Sequence, residues 1–201
     1  MCERPRDVPE TWGPHPGLRP PAPDGIRLMA TMARNNAWAN DRLLDACERL
    51  HDAEWRAPRT GFFPSLAATM THLHWVDRYY LDALTGGGMG LSVYDDQPTP
   101  GTEPAAGELR PLQAGVDATL RRFCEELPEA GLGLLVCTDR GTAGSVPERV
   151  DALLLHLFQH QIHHRGQAHA MLSGTPVAPP QLDEFHLALD DPAIHRPLRA
   201  T

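Results

Sequence analysis

The sequence predicts an all-α protein, a four-helix bundle with a small β-hairpin between helices three and four and with Pro-rich termini. Two observations lead to this prediction. Apolar residues recur at spacings of three and four in four long segments, and stretches rich in glycine and proline separate these segments. Long helices joined by loops bury their apolar faces against one another, so a bundle is the expected architecture.

The composition suits one domain between two proline-rich ends. The chain has 201 residues, of which 41% are hydrophobic, enough for a core. Residues 1–25 contain seven prolines, which exclude regular helix and predict an extended, disordered or wrapping N-terminal extension. We therefore expect the folded domain to span residues 26–189, followed by a C-terminal tail over 190–201.

The first two helices have clear boundaries. The first begins at Ile26 and continues for 25 residues without glycine or proline. The second follows Pro64, where the Ser65 hydroxyl can cap the first turn, and three glycines at 86–88 end it.

The later elements have weaker signals, and glycine, proline and aspartate mark most of the boundaries. In chain order we predict a loop over 86–107, a helix over Leu109–Leu127 with Pro111 near its first turn, a hairpin turning at 139–141, a helix over Glu148–Ser173, and a short helix near Leu182–Leu189.

Charge and cysteine spacing exclude several classes of function. The net charge of −8, without a basic stripe, disfavours nucleic acid and anionic membranes as partners. No apolar run approaches the roughly 18 residues that cross a bilayer, and the N-terminus has no signal-peptide core. The four cysteines lie far apart and form neither a disulfide framework nor a zinc ribbon, so a reducing cytoplasm is expected. Cys137, in the hairpin, is the thiol to check first for reactivity.

The most informative segment is HQIHHRGQAH, residues 160–169. On a helical wheel, His160 and His164 continue the apolar stripe of the last long helix, one turn apart, and two imidazoles at this spacing can share one metal ion. His163 and His169 point elsewhere and are not expected to be ligands.

The second helix supplies a possible third ligand. His72 lies on its inward stripe, whereas His74 is about 200° away and is expected to be exposed or at a helix–helix seam. Three histidines would leave a metal ion with an open position, as in catalytic sites, and would suit Zn, Ni, Fe or Co. An inward histidine is more often a hydrogen-bonded core residue, and the spacing alone leaves both interpretations open.

Three separated motifs resemble the DinB/YfiT-like superfamily, in its damage-inducible DinB branch. HLFQHQIHHRGQ is similar to the family's closing-helix pattern HxFNHQTHHRGQ, with Gln159 where asparagine is usual. NNAWANDRLLDAC resembles the pattern YNxWANxRLL, and THLHWVDRYYL resembles NHxxxxDRLWL. The resemblance extends from about Ile26 to Leu189.

The resemblance implies both a site and an activity. Proteins of this family are four-helix bundles with a divalent metal held by three histidines, which by motif position are His72, His160 and His164. Characterised relatives are transferases and isomerases that use the small thiols bacillithiol or mycothiol, and relatives commonly form homodimers. We therefore expect a small thiol as co-substrate and a small electrophile as substrate. Gln167, one turn after His164, is a candidate for orienting a ligand.

Two other functions stay open at this point. A hydrolase or lyase using water would need a general base. Asp77 is a weak candidate, because it points roughly 140° away from His72 and can instead pair with Arg78. The other alternative is a metal-containing protein that binds and sequesters a small toxic molecule without turnover.

Overall fold

A computed structural model describes residues 25–183, and the predictions for the N-terminal extension and for the tail from residue 184 lie outside this range, including most of the short helix near Leu182–Leu189. The described chain is mostly helical, with one small antiparallel sheet. Its elements are α1 (Gly25–Glu48), α2 (Asp52–Arg56), α3 (Leu66–Thr85), α4 (Ala106–Glu126), β1 (Leu135–Asp139), β2 (Ser145–Arg149) and α5 (Val150–Leu172).

Local signals fix both ends of α3. The Ser65 side chain accepts a hydrogen bond from the Ala68 N–H at 3.1 Å, which satisfies one free donor of the first turn. At the other end Gly86 has φ of +72°, a left-handed conformation that favours glycine. Both predicted boundaries of this helix are confirmed, and they set where His72 lies along it.

Two helices begin at different residues from those predicted. Helix α4 begins at Ala106, three residues early, because the Glu108 carboxylate accepts the Ala105 N–H at 2.9 Å and stabilises an earlier first turn. Pro111 therefore lies in the second turn of α4 rather than the first. Helix α5 begins two residues late, because Glu148 and Arg149 still pair with β1.

Helix α2 was not predicted from the sequence. It has five residues, and its Trp55 is buried with the indole N–H donating to the Pro104 carbonyl at 3.0 Å. A helix this short has too few residues to show a periodic apolar pattern. It is held in place by the hydrogen bond to Pro104, which is 49 residues away in the sequence.

The predicted hairpin between the last two long helices is confirmed. Strands β1 and β2 are antiparallel, with Leu135 opposite Arg149 and Asp139 opposite Ser145. The Tyr79 hydroxyl of α3 donates a hydrogen bond to the Asp139 carbonyl. This bond anchors the turn of the hairpin to α3.

The long helices bury two apolar clusters with polar side chains between them. Helix α1 packs mainly on α4, and α3 mainly on α5. Along α1, buried Asn36 and Asn40 lie between Ala33 of one cluster and Leu43 of the other. Helices α4 and α5 likewise carry buried polar side chains between the two clusters, and Asp77 of α3 contacts them. We call these buried side chains the polar layer: Asn36, Asn40, Asp77, Gln113, Asp117, Gln161 and Arg165.

Among the described residues, the thiols of Cys47 and Cys124 are buried and that of Cys137 is exposed. Burial raises the pKa of both buried thiols to about 12, so neither is a nucleophile at neutral pH. Over residues 25–183, no helix combines the length and the apolar character needed to span a bilayer.

Candidate metal centre

Three imidazoles converge where α3 packs on α5. His72 comes from α3, His160 and His164 come from α5, and one ring nitrogen of each lies within 4.8 Å of the other two. The Nε2 atoms of His72 and His160 are 3.0 Å apart. Nitrogen ligands at 2.0–2.1 Å from a tetrahedral ion are separated by about 3.4 Å. The cluster is therefore compatible with a metal ion after small side-chain adjustments.

Burial keeps these imidazoles neutral. It lowers the pKa of His72 to about 4, with the charge of His164 as the second cause. Burial, followed by the charges of His164 and His72, lowers the pKa of His160 to about 3. The pKa of His164 is also lowered, again first by burial. At neutral pH all three rings therefore have a lone pair, as metal ligands require.

Gln167 fixes the tautomer of His164. Its Nε2 lies 2.9 Å from His163 Nε2, and its Oε1 lies 3.3 Å from His164 Nδ1. An amide nitrogen only donates and an amide oxygen only accepts, so His164 must donate from Nδ1 and keep Nε2 unprotonated. By contrast, the buried Nδ1 of His160 has no hydrogen-bond partner among the described residues.

Two phenylalanines before α3 cover one side of the cluster. The ring centroid of Phe63 is 4.3 Å from that of His72 and 5.4 Å from that of His164. Phe62 also contacts His164, yet it is 76% exposed. Sequence reasoning gave these rings no role. The available signal was their position in the turn just before the α3 cap.

A cavity beside His160 opens beneath the hairpin. We call it the hairpin pocket. Its volume is about 330 Å³, and its lining includes Val76, Tyr80, Tyr94, Arg140, His156 and His160. A larger groove of about 790 Å³ lies between α3 and α4, but none of the three clustered histidines lines it. The hairpin pocket therefore adjoins the candidate metal centre through His160.

The comparison with protein families agrees with the motifs. The DinB family model matches residues 26–191, a range that includes all three histidines. The chain belongs to the DinB family. A search of curated proteins finds no significant match. The resemblance inferred from three separated motifs is thereby confirmed.

The other histidines that the structure describes in this DinB-family chain are not part of the cluster. His74 is buried, and its Nδ1 lies 3.0 Å from Gln113 Oε1, at the seam between α3 and α4. Of its two expected positions, the seam is the correct one. His169 Nε2 lies 3.0 Å from the Pro180 carbonyl oxygen.

Asp77 has different partners from the one considered in the sequence. Its carboxylate accepts hydrogen bonds from Gln113, at 2.8 Å, and from Gln161. Burial, and next the charge of Asp117, raise its pKa well above the ordinary range. The pairing with Arg78 is wrong, because the Arg78 guanidinium lies over the Trp75 ring at 4.1 Å.

The polar layer connects α5, which carries two of the three clustered histidines, to the other long helices. Arg165, next to His164, donates to the side-chain oxygens of Asn36 and Asn40. Asn40 in turn donates to Asp117 at 3.0 Å. Gln161, next to His160, donates to the Leu73 carbonyl at 3.1 Å. Sequence reasoning missed this network, although two asparagines one turn apart on an inward helix face were a signal for it.

Proposed function

We propose that this DinB-family protein is a metal-dependent enzyme in which His72, His160 and His164 bind one divalent transition metal. The bound ion would activate a small thiol, or water, for attack on an electrophilic small molecule. The observation that carries the proposal is the convergence of three neutral imidazoles from two helices of a proposed four-helix bundle. We take Zn, Ni, Fe and Co as candidate ions, because borderline metals favour imidazole.

The protein's own residues would orient the metal ligands, limit water access and hold the electrophile. A bound divalent ion lowers the pKa of a thiol or water molecule that coordinates it, and this provides a nucleophile at neutral pH. Gln167 would hold His164 with Nε2 free, and Phe63 would limit water access from one side. The hairpin pocket, beside His160, would hold the electrophile.

One observation favours thiol transfer over a hydrolase that uses Asp77 as its base. Asp77 is 1% exposed, and its oxygens already accept hydrogen bonds from two glutamines. A carboxyl group in this position does not reach solvent or the hairpin pocket. Thiol transfer needs no such base, because the ion itself favours the deprotonated thiol.

Metal binding is tested first. Untagged protein is purified and analysed for transition metals, before and after reconstitution, beside His72→Ala and a control, His51→Ala, whose exposed histidine directly precedes α2. We expect about one ion per chain in the wild type and the control, and loss of the ion in His72→Ala. A wild type without metal after reconstitution would refute the proposal.

Activity is tested with a panel of small thiols, including bacillithiol and mycothiol, and with a haloarene and an epoxide as electrophiles. We expect metal-dependent thiol conjugation that His164→Ala abolishes. If no thiol reacts, thiol transfer is wrong. Stoichiometric binding without turnover would instead support the non-catalytic alternative.

Three expectations from the sequence stay predictions: homodimer formation, a cytoplasmic location and a domain spanning residues 26–189. Sedimentation velocity on the full chain measures the first directly. Limited proteolysis measures the third, because cleavage is expected in residues 1–25 and after 189 rather than within the domain.

A further inference from the structure

We propose that the hairpin pocket binds a flat small molecule carrying a neutral oxygen acceptor, such as a carbonyl or nitro group, and that the Tyr80 hydroxyl donates the hydrogen bond that recognises it. The proposal rests on the proposed function, since it names the class of electrophile that the metal centre would act on. The binding preference itself requires neither metal nor turnover.

The hydrogen bonding of Tyr80 leaves its proton available. The side chain is 6% exposed and lines the pocket. Arg140 Nη1 donates to the Tyr80 oxygen at 3.3 Å. A guanidinium has donors only, so the hydroxyl must be the acceptor in this bond. Over residues 25–183 the hydroxyl proton has no acceptor, so a bound molecule can supply one.

Arg140 is held in place and is already neutralised. Its Nη2 and Nε donate to the Glu148 carboxylate at 2.7 and 3.1 Å, and Thr138 donates to the same carboxylate. Pairing with Glu148 removes most of the attraction that Arg140 would have for an anion. The pocket therefore offers an oriented neutral donor rather than a cationic site, which favours a neutral acceptor.

The walls of the pocket favour a flat apolar body. Tyr79 and Tyr94 form a stacked pair with centroids 5.6 Å apart. His156 meets Tyr80 edge-on at 5.3 Å, and Val76 adds an aliphatic surface. Aromatic walls of this kind pack well against planar rings. The volume of about 330 Å³ lies at the lower end of the range for small-molecule sites.

The pocket has Tyr80 in its lining at one end and reaches the candidate metal centre at the other. His160 lines the pocket and belongs to the candidate metal centre. Tyr80 follows His72 by eight residues, so their Cα atoms lie about 12 Å apart along α3. A molecule held by Tyr80 at one end would therefore extend towards the histidines. The larger groove between α3 and α4 provides no such connection.

Two near-isosteric probes isolate the oxygen acceptor: 4-fluoroacetophenone, which has a carbonyl, and 1-ethyl-4-fluorobenzene, which does not. Fluorine NMR titrations of the full chain, with chelator present, give a Kd for each probe in the wild type and in Tyr80→Phe. The measured quantity is the ratio of the two Kd values. We expect Tyr80→Phe to reduce the preference for the ketone by roughly three- to tenfold, the effect of one hydrogen bond.

The matched control is Tyr79→Phe. It removes a hydroxyl from the same pocket wall, but that hydroxyl already donates to the Asp139 carbonyl. Because that bond anchors the hairpin turn over the pocket, both Kd values can rise in this control, but no donor available to the ketone is lost and the ratio should stay at the wild-type value. An unchanged ratio in Tyr80→Phe, or an equal change in both variants, would overturn the proposal.

Amide chemical shifts of the wild type locate the probe independently of any variant. Binding in the hairpin pocket shifts the signals of Tyr80 and Gly141, whereas binding in the larger groove shifts those of Trp75 and Leu112. The second result, or no binding of either probe, would overturn the proposal. Since chelator is present throughout, a failure here is distinct from a failure of metal binding or thiol transfer.

Discussion

Gln167 determines which ring nitrogen of His164 keeps its lone pair. In Gln167→Leu the Nδ1–H loses its acceptor, and the imidazole can change tautomer or rotate. Loss of such an outer hydrogen bond typically weakens metal binding by 10- to 100-fold. We expect the Kd for zinc to rise by at least about tenfold, measured by competition with a chromophoric chelator.

Gln159→Leu is the control for this prediction. Gln159 is on the same helix, is exposed, and lies outside the histidine cluster. We expect its zinc affinity to equal that of the wild type. Equal affinities for wild type and Gln167→Leu would mean that the tautomer is set without the amide.

At the scale of a single helix, the cap of α3 is a local interaction with a measurable effect. Ser65→Ala removes the hydroxyl that accepts the Ala68 N–H. We expect the free energy of unfolding to fall by about 1 kcal/mol in urea titrations. Ser145→Ala, which alters an exposed serine at the start of β2, should change it by less than about 0.5 kcal/mol. An equal effect of both substitutions would contradict the assignment of Ser65 as the cap.

Contacts between helices depend on Arg165. This buried guanidinium joins α5 to α1 through Asn36 and Asn40, and its charge faces Asp77 and Asp117. Arg165→Met would leave two buried carboxyl groups without their cation. Removing one partner of a buried ionic group typically destabilises a protein by 3–5 kcal/mol.

We expect a loss of about this size for Arg165→Met in urea unfolding. The control is Arg122→Met, which replaces an exposed arginine on α4 and should change stability by less than about 0.5 kcal/mol. A loss below about 1 kcal/mol in Arg165→Met would show that the polar layer does not need its cation.

The elements that could be predicted from the sequence are those with local determinants. Ser65 and Gly86 bound α3 because a cap and a left-handed glycine act within one turn. The wheel selected His72, His160 and His164 because apolar periodicity within one helix identifies its inward face. Short helix α2 depends on a contact with Pro104 and has no such local signal.

The polar layer could not be predicted for a related reason. Asp77 and Arg165 are residue types that usually face solvent, and a wheel shows only the helix on which they lie. Their partners Asn36, Gln113 and Gln161 belong to other helices, 36 to 129 residues away. Only the packed arrangement of the helices shows that these groups satisfy one another in the interior.

At the scale of the whole molecule, the polar layer and the histidines give stability opposite dependences on pH. Burial raises the pKa of Asp117 to about 6, and burial and Asp117 raise that of Asp77. The folded state therefore binds more protons than the unfolded state between about pH 4 and 6, and these groups contribute stability that is lost as pH rises through that window. The buried histidines, whose pKa values are lowered, contribute stability that is lost as pH falls below about 6.5.

Asp117→Asn separates the two effects, because the histidines are the same in both proteins. The substitution removes one carboxyl group whose pKa is raised. It also removes the repulsion by which Asp117 raises the pKa of Asp77. The variant should therefore lose more stability than the wild type when pH falls from 7 to 4. We expect the difference in unfolding free energy, wild type minus variant, to grow by up to about 3 kcal/mol over this range. Urea unfolding with chelator at pH 7, 5.5 and 4 measures it. A difference that is constant, or that shrinks towards acid pH, would mean that the folded polar layer does not take up a proton in this range.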